Sequence, residues 1–284
     1  MRLDRIITLN LMRPLLGGGE SRATDAVPIL MYHSISDDPE PTRGDYYKTC
    51  TSPARFRENM QILQDEGFVT TDLASVLNGG DREGEIAPSR RVVITFDDGF
   101  DDFRIEAWPV LQEFGFAATM FLPTDFIGDE RREFLGLPCM TWSDVRDMKE
   151  QGVSFGSHTQ SHPKLIELDQ ELLVAELTES RQVIQSQLGD TIDTFAHPYA
   201  FPATNRRYVD RFRNAARNAG YKACVTTAIG RFRSTDDPLT IKRLPVNNAD
   251  DADLFRAKIL GHYDWLAKPQ RVIKKLKPML KLRR

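Results

Sequence analysis

Residues 92–100 read VVITFDDGF. β-Branched residues and a Phe make the first five a strand. Asp97 and Asp98 then stand side by side at its end, followed at once by Gly99. In a parallel barrel the C-terminal ends of the strands form the rim that carries the active site. Successive strand residues face opposite ways, but a turn at the strand end brings both carboxylates toward one site. Two like charges that close repel strongly unless a cation separates their roles. A solvated Asp-Asp-Gly turn is the ordinary alternative, and taken alone the motif favours it.

Working outward, similar β-rich runs occupy residues 28–32, 68–71, 117–122, 153–157, 193–196, 222–226 and 240–244. Helix-like segments separate most of them. In SPARFRENMQILQDEG, Ser52 is placed to cap, Pro53 to start and Gly67 to end a helix. In LDQELLVAELTESRQVIQSQLG, Leu172, Ala175, Leu177, Val183, Ile184 and Leu188 recur near a 3.6-residue period that stops at Gly189. Two further segments end the same way at Gly152 and Gly220. Strand–helix alternation of this kind predicts a parallel sheet with helices outside it. About eight strands suit a closed (β/α) barrel; an open doubly wound sheet is the competing arrangement.

Composition narrows the class of function. The 284 residues are 40% hydrophobic and 28% charged, with a net charge of −3. That is ordinary for a soluble globular chain and gives no overall basic field for nucleic acid. Cys50, Cys139 and Cys224 are far apart, so neither a disulfide framework nor a CxxC metal knuckle is present. The N-terminal stretch, residues 1–25, reads as a short amphipathic helix before the Gly17-Gly18-Gly19 break, too short and polar to span a bilayer. It also makes a poor signal peptide. The last stretch, 267–284, differs from the rest. Its eight Lys and Arg residues and lack of acids leave −11 for the remaining chain. Interleaved apolar residues let such a tail lie on an anionic membrane surface, while a solvated tail is the equal alternative. The expected location is cytoplasmic and peripheral to the inner membrane face, with secretion left open.

Further chemistry gathers at strand ends. In GSHTQSHPKL (156–165), His158 and His162 are four residues apart, directly after an apolar strand. On one helical turn such a pair shares a face, as divalent-metal histidines require. Two histidines and one carboxylate make an open facial site with positions left for water and substrate. TFAHPYA (194–200) is again a strand running into a loop, and PILMYHSI (28–35) puts His33 at the end of the first strand. Either of the last two is weak by itself. Four of the five histidines, 33, 158, 162 and 197, nonetheless fall at predicted strand ends.

TFDDG, SHTQSHP and FAHPYA, in this order and spacing, resemble the leading motifs of the polysaccharide deacetylase family, with its NodB-homology domain of the carbohydrate esterase family 4 type. The likeness covers roughly residues 26–262 and places the domain at 26–266. It implies a distorted (β/α) barrel of seven to eight strands. It implies metal-dependent removal of acetyl groups from an N-acetylated glycan. It makes Asp98, His158 and His162 ligands of a divalent metal, zinc first and cobalt or nickel next. It makes Asp97 the general base for the attacking water and gives the backbone N–H of Tyr199 to the oxyanion.

The chain also departs from the family. Many members carry Arg where this one has Ala196, and Gly where it has Ala200. The Arg orients the catalytic base, and Arg243 is the expected substitute. The proton donor is left between His33 and His262, of which His262 lies in the helix-like segment 251–266. Two rival readings share these residues. One is the same barrel acting on a non-sugar C–N bond; the other is a glycan-binding pseudoenzyme.

Overall fold

The structure, a computed structural model, describes residues 2–16, 26–37, 44, 47–77 and 90–267. The triple-glycine break and the basic tail 268–284 lie outside the described residues. In chain order, α1 (Leu3–Ile7), a wider-pitched segment Thr8–Met12 and α2 (Arg13–Leu15) form one N-terminal helical run. There follow β1 (Ile29–Tyr32), α3 (Pro53–Asp65), β2 (Val69–Thr70), α4 (Leu73–Leu77), β3 (Arg91–Phe96), α5 (Trp108–Phe114) and β4 (Thr119–Leu122). Next come a hairpin of β5 (Glu133–Phe134) and β6 (Leu137–Pro138), then α6 (Trp142–Glu150), β7 (Ser154–Ser157) and α7 (Gln170–Leu188). The chain ends with β8 (Thr194–Ala196), α8 (Arg206–Asn218), β9 (Ala223–Ile229), β10 (Ile241–Pro245) and α9 (Ala252–Ile259).

The local signals act as the sequence suggests. The Ser52 hydroxyl accepts from the Arg55 amide and opens α3. Thr141 and Asp144 make a reciprocal capping box at α6. Gly189 ends α7 in the left-handed region, where a side chain is strained.

All eight predicted strands form and join one parallel sheet. β1 pairs with β3 on one side and β10 on the other, so seven strands close into a ring. That closure excludes the open sheet. β2 is the eighth strand. It pairs with Arg91 and Val92 at the start of β3, while β4 pairs with Thr95 and Phe96 further along.

Strand alternation then sorts side chains into two layers. Val92, Ile94 and Phe96 of β3 face the helices, in the larger hydrophobic cluster. Val93 faces the lumen with Ile29, Phe121, Ala196, Val225 and Ile241. Continuing that inward series along β3 reaches Thr95 and then Asp97. The first carboxylate of the opening motif is therefore delivered into the barrel, and Asp97 is buried.

The N-terminal run docks beside α9. Arg2 binds Asp250 at 2.7 Å, Arg5 binds Asp251 at 2.6 Å, and Tyr263 donates to Asp4 at 2.6 Å. The basic residues of this amphipathic segment are thus engaged with acids of the chain itself. Among the described residues no helix is long and apolar enough to cross a membrane.

Gly156, in the middle of β7, faces the crowded lumen. A Cβ there would lie 2.5 Å from Phe121 and 2.5 Å from the Thr194 hydroxyl. Gly156→Ala is expected to destabilise the protein by about 1–3 kcal/mol through overpacking. Urea unfolding of the two proteins measures it.

Candidate metal centre and active site

The mouth of the barrel gathers most of the residues singled out above. Asp98 and Gly99 are both left-handed, with φ of 78° and 67°. A regular strand would send neighbours 97 and 98 to opposite faces. The left-handed turn at Asp98 instead lets both carboxylates reach the lumen. A Cβ at Gly99 would meet Ile127 at 2.9 Å, so the turn is also closely packed.

Asp98 Oδ1 lies 3.4 Å from His158 Nε2 and 3.4 Å from His162 Nε2. The two histidine nitrogens are 3.2 Å apart. These three ligand atoms fall within 4.8 Å of one another, and the three side chains are buried.

The histidine pair is not on a helical turn, contrary to the expectation from its spacing. Residues 158–162 form an irregular loop after β7, with φ of 74° at Thr159 and 55° at His162. The Thr159 hydroxyl accepts from the His162 amide at 3.0 Å. Two left-handed residues fold the loop back on itself, and this supplies the convergence that a helix would otherwise give.

The donor set suits a divalent cation. His158 Nδ1 donates to the Ala196 carbonyl at 2.8 Å, because a carbonyl can only accept. The neutral ring therefore turns an unprotonated Nε2 toward Asp98 and His162. Asp98 Oδ1 is buried without a hydrogen-bond partner among the described residues. Three potential ligand atoms thus converge on one point. One carboxylate and two imidazoles are a recurring ligand set for zinc and related metals.

Charge follows the same geometry. Burial alone would raise the Asp97 carboxyl, but the Arg243 guanidinium outweighs it and holds the group well below the usual carboxylate range. Burial likewise opposes ionisation of Asp98, and the neighbouring His158 imidazole, with those of His33 and His162, overrides it downward. His158 is pushed up, since Asp97 and Asp98 overcome its burial. His162 falls to about 4, mainly through burial and then through repulsion from His158.

Arg243 is fully buried and forms a two-pronged pair with Asp97, at 2.7 Å and 2.6 Å. Its remaining donors reach the Thr95 hydroxyl at 3.1 Å and the Thr226 carbonyl at 3.2 Å. It reaches Asp97 from β10 across the lumen, with its guanidinium 6.0 Å from the centre of the Phe121 ring. His33 Nε2 stands 3.9 Å from Asp97 on the partly open side of the mouth. Tyr199, with φ of 55°, lays its ring 4.7 Å from that of His162.

Two histidines lie elsewhere. His262 follows α9, which packs on α3 and the N-terminal run, and its charged neighbours are Arg13, Arg231 and Asp264. The chain has left the mouth by then, so His262 does not join the cluster. His197 follows Ala196 and faces the helix side. Its Nε2 meets the Tyr208 hydroxyl at 2.6 Å, and burial pushes it down to about 3. Thr95, Thr159 and Glu176 support the site but were not foreseen. Only Thr95 had a signal, its inward position two residues before Asp97.

Residues 84–224 match the family model described as polysaccharide deacetylase. The chain belongs to the polysaccharide deacetylase family, whose members are hydrolases of carbon–nitrogen bonds. It is 28% identical over 236 residues to YxkH of Bacillus subtilis, itself assigned to the polysaccharide deacetylases, covering 82% of this chain and 76% of that one. The solved structure of the Streptococcus pyogenes deacetylase PplD, in complex with acetate, superposes with a TM-score of 0.69 at 26% identity, covering 82% of this chain and 98% of that one. The poly-β-1,6-N-acetyl-D-glucosamine N-deacetylase of Escherichia coli is 28% identical over 143 residues, which are 46% of this chain and 20% of that protein.

Two outcomes follow from these contacts. Arg243→Met leaves a buried carboxylate without its cation and is expected to cost about 3–5 kcal/mol of stability; equilibrium denaturation measures the loss. His197 is held neutral in the fold, so its unfolded form binds the extra proton. Its contribution to stability is therefore constant above its ordinary pKa of 6.5 and declines as pH falls from there to about 3. His197→Phe, which strands the Tyr208 hydroxyl, is expected to be less stable than the parent at pH 8. The gap should narrow toward pH 4, read by thermal unfolding across that range.

Proposed function

We propose that this protein hydrolyses the N-acetyl groups of an amino-sugar polymer, releasing acetate and leaving free amines, as part of cell-surface glycan biosynthesis. The observation that carries the reading is the pairing of two carboxylates with separate partners. Asp98 converges with His158 and His162, while 2.6 Å away from its own partner Arg243 the neighbouring Asp97 stays ionised and faces the same mouth. The deacetylase relatives support the reaction class, and the poly-N-acetylglucosamine deacetylase among them supports the substrate type.

Asp98, His158 and His162 would hold a divalent cation, for which zinc suits the imidazole-rich set. When bound, such an ion polarises the acetyl carbonyl and acidifies water enough for a weakly basic carboxylate to take a proton. Asp97 accepts that proton, and Arg243 keeps its two oxygens oriented and prevents it from resting protonated. The Tyr199 N–H is assigned to the oxygen on which negative charge develops. His33, 3.9 Å from Asp97, donates a proton to the sugar nitrogen as the C–N bond breaks. The glycan-binding alternative drew on the missing Arg at Ala196; Arg243 now stands beside Asp97 and weakens that reading.

Acetate release from β-1,6- and β-1,4-linked N-acetylglucosamine oligomers and from peptidoglycan fragments, with and without chelator, tests the proposal. Metal-loaded protein that frees acetate from small amides but from none of the glycans would overturn the sugar assignment. Asp97→Asn is expected to retain metal while turnover falls roughly 10²–10⁴-fold, followed by metal analysis beside the assay. His33→Ala is expected to lose more turnover than His262→Ala at equal metal content.

A further inference from the structure

The loop that carries both histidines is held from one point outside the mouth. Glu176, on the second turn of α7, accepts from the Gln160 amide at 2.8 Å and the Ser161 amide at 3.0 Å through one oxygen. Its other oxygen accepts from the Ser161 hydroxyl at 2.5 Å. Gln160 and Ser161 are the residues between Thr159 and His162, the two left-handed positions of the loop. Successive amides in such a reversal point the same way and form a concave, electropositive nest that takes an anion. Here the anion is a side chain of the protein.

The opposite edge of the loop is fixed by backbone. The Thr159 carbonyl accepts from the Thr124 amide at 3.1 Å, and the Gln160 carbonyl from the Asp125 amide at 3.0 Å. α7 is itself anchored to the strand before the loop, since the Ser180 and Ser157 hydroxyls meet at 2.7 Å. His158 directly follows β7 and is set by its amide on the Leu122 carbonyl and its ring on the Ala196 carbonyl. The His162 ring lacks such a hydrogen-bonded anchor, its Nδ1 having no partner among the described residues, and is held by packing against Phe134, His158 and Tyr199. Its position depends on the backbone that presents it.

We infer that Glu176 is a positioning residue for the metal centre, clamping the 159–162 loop so that His162 meets Asp98 and His158 before any ion arrives. The inference rests on the metal reading above for its consequence, but the clamp is a property of the metal-free loop. Glu176→Gln keeps an oxygen for the two amides and can donate its NH2 to the Ser161 hydroxyl, so it preserves the clamp without the charge. Glu176→Ala removes it.

The test compares parent, Glu176→Gln and Glu176→Ala after chelator treatment. Zinc affinity is measured by calorimetric titration, and hydrogen exchange is followed at the amides of Gln160, Ser161 and His162. Glu176→Ala is expected to bind zinc roughly 10–100-fold more weakly, as losses of supporting groups around a metal do. Its loop amides should exchange faster, while those of β3 and β8 keep their parental rates. Glu176→Gln is expected to stay within about threefold of the parent. Parental zinc affinity and parental exchange in Glu176→Ala would overturn the inference. If Glu176→Ala does not fold, Ser161→Ala, which deletes one of the three bonds, replaces it, and unchanged affinity and exchange there count against the clamp. A parent that takes up no zinc would refute the metal reading, and the exchange rates alone would then decide the clamp.

Discussion

The buried pair of Arg243 with Asp97 organises the mouth of this barrel. A guanidinium and a carboxylate withdrawn from water are costly apart and tolerable only together, with every remaining donor satisfied. Thr95 and the Thr226 carbonyl complete that requirement. The pair spans the lumen between β3 and β10, the strands that flank β1 in the closed ring. Barrel closure and ionisation of the catalytic carboxylate are thus one arrangement. Neither strand could shift its register by a residue without turning one charge toward the apolar helix layer.

The fold was legible because strand signals and helix ends were strong locally. Most strand runs ended in a polar turn, and Ser52, Gly67 and Gly189 punctuated helices where they were expected. Asp97, Asp98, His158 and His162 were legible because like charges and paired histidines at strand ends have few ordinary uses. What escaped was geometry set by the backbone. The spacing of His158 and His162 fits a helical turn equally well as a doubly left-handed loop, and residues such as Thr159 are disfavoured in that region. Nothing local in Thr159 announces it. Glu176 escaped for a different reason: it lies on a helix face fourteen residues from His162, and only the packing of α7 on β7 brings it to the loop. His197 shows the converse. Its position at a strand end was right, but one step of strand alternation separates a lumen-facing side chain from a core-facing one.

The site also divides its work between rigid and reversed backbone. Arg243 comes from a strand position and His158 directly follows β7, its amide bonded to the Leu122 carbonyl, so both inherit the barrel's stiffness. Asp98, His162 and Tyr199 are all in the left-handed region. Strain of that kind persists only where the surroundings over-determine it. Here tight contact around Gly99, the clamp on residues 160 and 161, and the Thr227 hydroxyl on the Tyr199 carbonyl provide those surroundings.

Ring closure between β1 and β10 has a consequence for the order in which the molecule is made. Residues 29–32 leave the ribosome first among the barrel strands, yet one of their two edges waits for residues 241–245. Without those residues one edge of the first strand has no partner for its amides and carbonyls. Asp97 likewise gains its guanidinium only when Arg243 of β10 is in place. Pairing of residues 29–32 with residues 241–245 therefore closes the edge and brings Asp97 its cation in one long-range step, the kind of closure that makes folding slow.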